Sequence, residues 1–278
     1  MKNRHVWEVG KSEVIVSDGR VISVADPPIK FCPIHYAIWK NEMSKESIKK
    51  SMEIRIKTFG LCTSERIIES DVFALGFGAS ESLATVLDRE MIDCSVVVCD
   101  GAGTVITDKP EVVQGIGMVM SALIETSPIL ETIEKLEEKG AAVLTKDAKI
   151  DQIEGTKKAF EMGYKKVGVT IAGECSRSIV DIEELERRYA KKTLKIVVHT
   201  TGVGEELLPF IKKADIVTSC ASKVVRERIG DKARAYGRTI PVYALTKFGE
   251  EVMDAQREVM SERGRILEVS PASPHPLL

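Results

Sequence analysis

The sequence predicts an α/β fold: a Rossmann-like three-layer core with a mainly parallel sheet, preceded by an N-terminal β-hairpin/α segment. Three observations carry this expectation. Short apolar runs alternate with amphipathic helical patterns through residues 128–262, which implies right-handed strand–helix–strand crossovers. Glycines 140 and 163 fall where those helices should end. Near the start, Glu13–Ser17 and Arg20–Val24 flank an Asp18-Gly19 pair, the two-residue signal of a β-hairpin. The expected organisation is an N-terminal α/β region over 1–126, a Rossmann-like domain over 127–270 and a flexible, proline-rich tail over 271–278.

In order, residues 5–24 read as hairpin material, and Pro27, Pro28 and Pro33 then interrupt regular structure. Ile48, Met52 and Ile56 at four-residue spacing predict a helix over 44–57. An apolar, glycine-bearing stretch at 71–80 leads into a helix over 81–91. Residues 94–99 and 105–107 read as strands about an Asp100-Gly-Ala-Gly-Thr104 turn. Pro110 suits the first turn of a helix running to about 125. Beyond it, helices are expected at 128–139, 150–162, 178–190, 205–213, 222–234 and 247–262. Strands are expected at 141–144, 166–172, 194–199, 215–219 and 240–245.

Composition narrows the function classes. A chain of 278 residues with 44% hydrophobic and 29% charged residues is typical of a globular protein with a substantial core. A net charge of −2 offers no general attraction to nucleic acid or an anionic membrane. No apolar stretch approaches the roughly 20 residues of a membrane span, and residues 1–8 hold no apolar run of a secretory signal. Six cysteines without a CxxC pair or small-domain spacing point to reduced thiols in a cytoplasm.

The chemistry expected here gathers at strand ends. Cys99, Cys175, His199 and Cys220 each sit at or just past an apolar run. In a parallel sheet those ends form the edge outside which ligands bind. Three thiols and an imidazole suit zinc or an iron–sulfur centre, so these four form a candidate metal set. Cys32 and His35, spaced as Cys-Pro-Ile-His, and Cys62 join them if the N-terminal segment folds over that edge. Cysteine is also a common buried apolar residue, which is the competing reading.

Two glycine loops add cofactor-binding candidates. Gly101, Gly103 and Thr104 follow Cys99 and Asp100, and Asp100 could serve as a general acid or base; a tight turn with Asp100 binding its amides is the plainer reading. Thr200 and Gly202 follow His199, but the Gly202-Val-Gly204 fragment carries Leu207 where a dinucleotide fingerprint needs its third glycine. Glu205 and Glu206 would repel a phosphate there. Gly76-Phe-Gly78 is incomplete in the same way, so no dinucleotide is expected. Lys223 and Arg226, after Cys220, could hold an anion or simply form an exposed helical turn.

The phrases Val96-Val-Val-Cys-Asp-Gly-Ala-Gly-Thr-Val-Ile-Thr107, Val113-Gln-Gly-Ile-Gly117, Glu125-Thr-Ser-Pro-Ile129, Ile150-Asp-Gln-Ile-Glu-Gly155 and Met162-Gly-Tyr-Lys-Lys-Val-Gly-Val-Thr170 resemble the methanogenesis marker protein 8 family over most of the chain. The resemblance implies a cytoplasmic, anaerobic setting in methane-producing archaea and transfers no catalytic residues. The expectation is a methanogenesis-associated accessory protein, whether or not an enzyme, whose site would use Cys99, Asp100, His199 and Cys220. Its partners would be a small-molecule ligand or other methanogenesis proteins, with no nucleic acid and no membrane. The alternatives are a small-ligand or nucleotide binder, and an assembly component without catalysis.

Overall fold

The structure is a computed structural model that describes residues 3–118, 121–263 and 269–278. It is a mixed α/β architecture with two sheets. The smaller is antiparallel, and its strands β1 (Arg4–Val9), β2 (Ser12–Ser17), β3 (Arg20–Val24) and β6 (Ala122–Thr126) lie in the order β3-β2-β1-β6. Helix α2 (Lys45–Phe59) covers it. Ser44 and Ser47 close a reciprocal capping box at the start of α2, and Gly60 in the left-handed region ends it. Trp7, Val14, Val16, Ile48 and Met52 form the core between them.

The larger sheet contains β4 (Cys94–Cys99), β5 (Gly103–Thr107), β7 (Ala142–Val143), β8 (Lys166–Ala172), β9 (Lys192–Val198), β10 (Ile216–Thr218), β11 (Arg234–Tyr236) and β12 (Val242–Ala244). Its order is β11-β12-β10-β9-β8-β4-β5-β7. Only the middle, β10-β9-β8-β4, is parallel; β5 and β7 on one side and β12 and β11 on the other run antiparallel. The sheet is therefore mixed rather than mainly parallel. The reason is local: the Asp100–Ala102 turn folds β5 straight back on β4, leaving no room for a crossover helix.

The elements from 128 onward fall near their expected places, and β8 matches 166–172 at both ends. Two expectations need correction. The helix expected over 110–125 stops at Gly117, and 122–126 form β6, which returns to pair with β1; residues 119–120 lie outside the described residues. The helix expected over 222–234 is α9, Lys223–Arg228, after which the chain turns to make β11. Of the strands within 1–126, β4 and β5 belong to the larger sheet.

The tail is also held rather than loose. Phe31 and Lys30 donate backbone hydrogen bonds to the His275 carbonyl, and His275 donates back to Phe31. Leu278 donates to the Ala221 carbonyl while Lys223 donates to that of Leu278. Stacking of the Phe31 and His275 rings, 5.4 Å apart, adds to this clasp. Residues 275–278 thus strap the start of α1 (Pro33–Trp39) to the loop between β10 and α9.

Candidate functional site

The small sheet folds over the carboxyl edge of the parallel strands. Its β1–β2 turn, Gly10-Lys11, has both residues at positive φ, as a tight hairpin requires. There Lys11 pairs with Glu8 and with Glu174, each at 3.2 Å, and Glu174 lies just past β8. A Cβ placed on Gly202 would lie 3.1 Å from the Lys11 side chain, so the hairpin tip rests on the loop after β9. The junction creates two distinct groups of polar residues.

The first group surrounds Asp100 and is sealed. Asp100, Cys99 and Cys62 are buried, as are Arg66 and His5. One Asp100 carboxylate oxygen accepts from Arg66 Nε at 2.9 Å, the other from the Cys62 amide at 2.6 Å. Arg66 also donates to the carbonyls of Ile116 at 3.0 Å, Gly115 and Ile67. Trp7 donates its indole N–H to Cys62 Sγ at 3.3 Å. Thr126 Oγ1 accepts from the Gly101 amide and shares a 2.6 Å hydrogen bond with His5 Nδ1. This is a clip that pins the loop after α2, and β6, to the end of β4. Burial pushes the Cys99 thiol up to about 12, with the Asp100 charge adding to it, so it is an inert neutral thiol.

The Gly101–Thr104 loop belongs to the same clip. A Cβ on Gly101 would meet Ile129 at 3.0 Å, and one on Gly103 would meet the Ala148 carbonyl oxygen at 2.3 Å. Thr104 accepts from the Asp151 amide at 2.8 Å and donates to Gln152 at 2.9 Å. These glycines allow the chain to approach itself. The other glycine fragment is similarly filled from within: Glu81 accepts the Leu75 amide at 2.7 Å inside the 74–78 loop, and a Cβ on Gly78 would meet its carboxylate. Glu206 occupies the corresponding space at Gly204.

The second group gathers at the carboxyl ends of β9 and β10, where parallel strands leave a crevice in open α/β sheets. His199 and Cys220 follow these neighbouring strands with φ of 53° and 44°. Their loops are stitched together by the Thr200 hydroxyl donating to the Thr218 carbonyl at 2.7 Å and the Ala221 amide donating to Thr201 Oγ1 at 3.1 Å. The backbone N–H groups of Thr200 and His199 face the Cys220 sulfur. Opposite lies Cys32, at the start of α1, whose sulfur is approached by the amides of His35 and Ile34. The Cys32 thiol sits near enough to disfavour ionisation of Cys220. Arg226, bonded to the Cys220 carbonyl at 2.8 Å and to that of Thr239, anchors the loop from behind rather than awaiting an anion.

The crevice holds neutral donors. Burial, aided by Lys11, lowers His199 to about 4; burial, aided by Arg55, does the same to His35. Burial raises both Cys32 and Cys220 above the usual thiol range. His35 is only 5% exposed and its Nε2 has no hydrogen-bond partner. Arg55 donates to Ser121 Oγ at 3.0 Å, and burial lowers its pKa to about 10.

Of the expected metal set, only His199 and Cys220 share this crevice. Cys99 is inside the clip, and Cys175 is exposed on a short 3-10 turn, Gly173–Ser178. Among the described residues no three His, Cys, Asp or Glu side chains form a set that could hold a metal ion. Cys32 reaches the edge beside Cys220, His35 is buried on α1 just after it, and Cys62 joins the clip. Arg66 and Lys11 were not visible beforehand, because Asp100 and Glu174 lie 34 and 163 residues away from them. Arg55 had a faint signal: it follows Met52 by three residues, a charged side chain beside the apolar stripe of α2.

Residues 5–258 match the family described as an uncharacterised protein conserved in archaea, DUF2099. The chain is 46% identical over 260 residues to an uncharacterised protein of Methanocaldococcus jannaschii, covering 90% of this chain and 89% of the relative. The chain belongs to this archaeal family. No helix among its described residues is long and apolar enough to cross a membrane.

Proposed function

We propose that this family member is a cytoplasmic accessory protein of methane-producing archaea that handles a small ligand in the Cys32–His35–His199–Cys220 crevice. The observation carrying this reading is the left-handed backbone of His199 and Cys220 at adjoining strand ends. Among the other non-glycine residues with positive φ, Lys11 and Asp18 make hairpin turns and Lys40 and Ala190 cap helices, while Cys62, Glu90 and Ala148 lie in turns or loops. His199 and Cys220 neither turn a hairpin nor cap a helix. Backbone held off its preferred regions costs on the order of 1–3 kcal/mol per residue and collects where function demands it.

Neutral imidazoles and thiols accept soft, weakly charged groups, and ligands that take a thiolate must release its proton. The resemblance to the methanogenesis marker protein 8 family and the methanogen relative support the cellular setting. Whether the crevice catalyses a reaction or holds a cofactor for another protein follows from what binds. The test is a thermal-shift titration of the anaerobically purified protein with the small-molecule fraction of a methanogen extract. Stabilisation of the wild type that disappears in Cys32→Ser/Cys220→Ser supports the reading. An equal response of both proteins, or none from either, overturns it.

A further inference from the structure

We propose that Cys32 and Cys220 are a dithiol pair that exchanges with small-molecule disulfides and closes to an intramolecular disulfide. This rests on the crevice being the functional site and names its ligand class. The pair joins parts of the chain that the fold brings together: Cys32 opens α1 on the N-terminal side, and Cys220 leaves β10 of the larger sheet. Their neighbours are fastened by one strap, since Phe31 pairs with His275 and Ala221 with Leu278. Ala221 and Cys32 also pack on the same apolar cluster, beneath the small sheet. Both thiols are half-buried, whereas Cys62, Cys94 and Cys99 are sealed and Cys175 is exposed. Each sulfur faces two backbone N–H groups, from Ile34 and His35 or from His199 and Thr200. Those amides stabilise a thiolate at the moment it forms.

The exchange balances without another reactant. The Cys32 thiolate attacks one sulfur of the small disulfide, whose S–S bond breaks, and one small thiol leaves with a proton from the protein. The Cys220 thiolate then attacks Cys32 Sγ in the mixed disulfide. The second small thiol leaves with the second proton, and the Cys32–Cys220 bond forms. The small disulfide gains two electrons and the protein pair loses two. Because burial keeps both thiols protonated near neutrality, the rate should rise about tenfold per pH unit until they ionise.

The test uses Cys175→Ser as background, removing the exposed thiol, with oxidised glutathione as the probe. Intact-mass and peptide mapping should show two glutathione molecules released per chain, a loss of two hydrogens and a 32–220 cross-link. Adding Cys32→Ser or Cys220→Ser should leave one glutathione retained on the remaining crevice cysteine. Retention of glutathione by the background protein, or no reaction at a pH where the unfolded chain reacts fully, overturns the proposal. Extract-dependent stabilisation that persists without cross-linking would sink the dithiol chemistry alone. Cross-linking without such stabilisation would instead count against the ligand-handling role.

Discussion

Asp100→Asn should destabilise the protein strongly, because Asp100 fastens the two sheets. The carboxylate is fully buried, and so is its partner Arg66, at 2.9 Å. Replacing it with an amide keeps the shape and still offers the Cys62 amide an acceptor, but strands the Arg66 guanidinium in the interior. Breaking one side of a buried pair costs about 3–5 kcal/mol, chiefly because of the uncompensated charge left behind. At about 2–4 °C per kcal/mol for a chain of roughly this size, the melting temperature should fall by about 6–20 °C. Chemical denaturation followed by tryptophan fluorescence is a suitable assay, since Trp7 donates to Cys62 within the clip. The double variant Asp100→Asn/Arg66→Met should recover part of the loss, because removing both charges removes the stranded one. An Asp100→Asn protein within about 1 kcal/mol of wild type, or a double variant no better than the single, would refute the structural role.

Further outcomes follow from the same geometry. His35 and His199, both lowered to about 4, bind a proton on unfolding but not when folded between about pH 4 and 6.5; their contribution is complete above that window and is lost as pH falls through it. For the deeply buried His35 this amounts to about 3 kcal/mol by pH 4. Denaturation midpoints against pH should therefore be flatter in His35→Gln than in wild type, and an unchanged slope would contradict the burial of a neutral ring. Gly103→Ala should destabilise by more than about 2 kcal/mol, because its Cβ would strike the Ala148 carbonyl at a φ of +70°. Urea unfolding reads this directly, and a neutral result would mean that the loop has slack. In native alkylation, Cys175 should react first, Cys32 and Cys220 slowly, and Cys62, Cys94 and Cys99 only upon unfolding, as peptide mass mapping can determine.

Much of the fold was legible because helix and strand periodicities are local. The Asp18-Gly19 hairpin, the 166–172 strand and the helix at 247–263 announce themselves in neighbouring residues. What escaped was long-range. Residues 122–126 continue an apolar pattern after a helix, and only their pairing with β1, more than a hundred residues earlier, makes them a strand. Likewise, nothing near Arg66 or Asp100 reveals that they meet. The strand-end rule pointed to His199 and Cys220, which the fold places at adjoining strand ends. It also offered Cys99 and Asp100, which occupy a strand end on the same sheet but lie under the clip. The Cys-Pro-Ile-His phrase was informative on the stated condition that the N-terminal segment folds over the edge, and it does.

That closure determines the chemistry at the edge. Lys11 is paired with Glu8 and Glu174, and Arg66 with Asp100, so the cations of the hairpin tip and the clip are each held by carboxylates. The donors left facing the crevice respond to burial in the only direction open to them, the imidazoles losing protons and the thiols keeping theirs. Neutral donors recognise a ligand by what it can exchange rather than by its charge. A partner that engages the sulfurs must displace their protons, so its affinity should strengthen as pH rises through neutrality. A ligand held only by the imidazoles would show little such dependence until the rings protonate near pH 4. The pH dependence of binding therefore separates a sulfur-centred role for the crevice from an imidazole-centred one, even before the ligand is known.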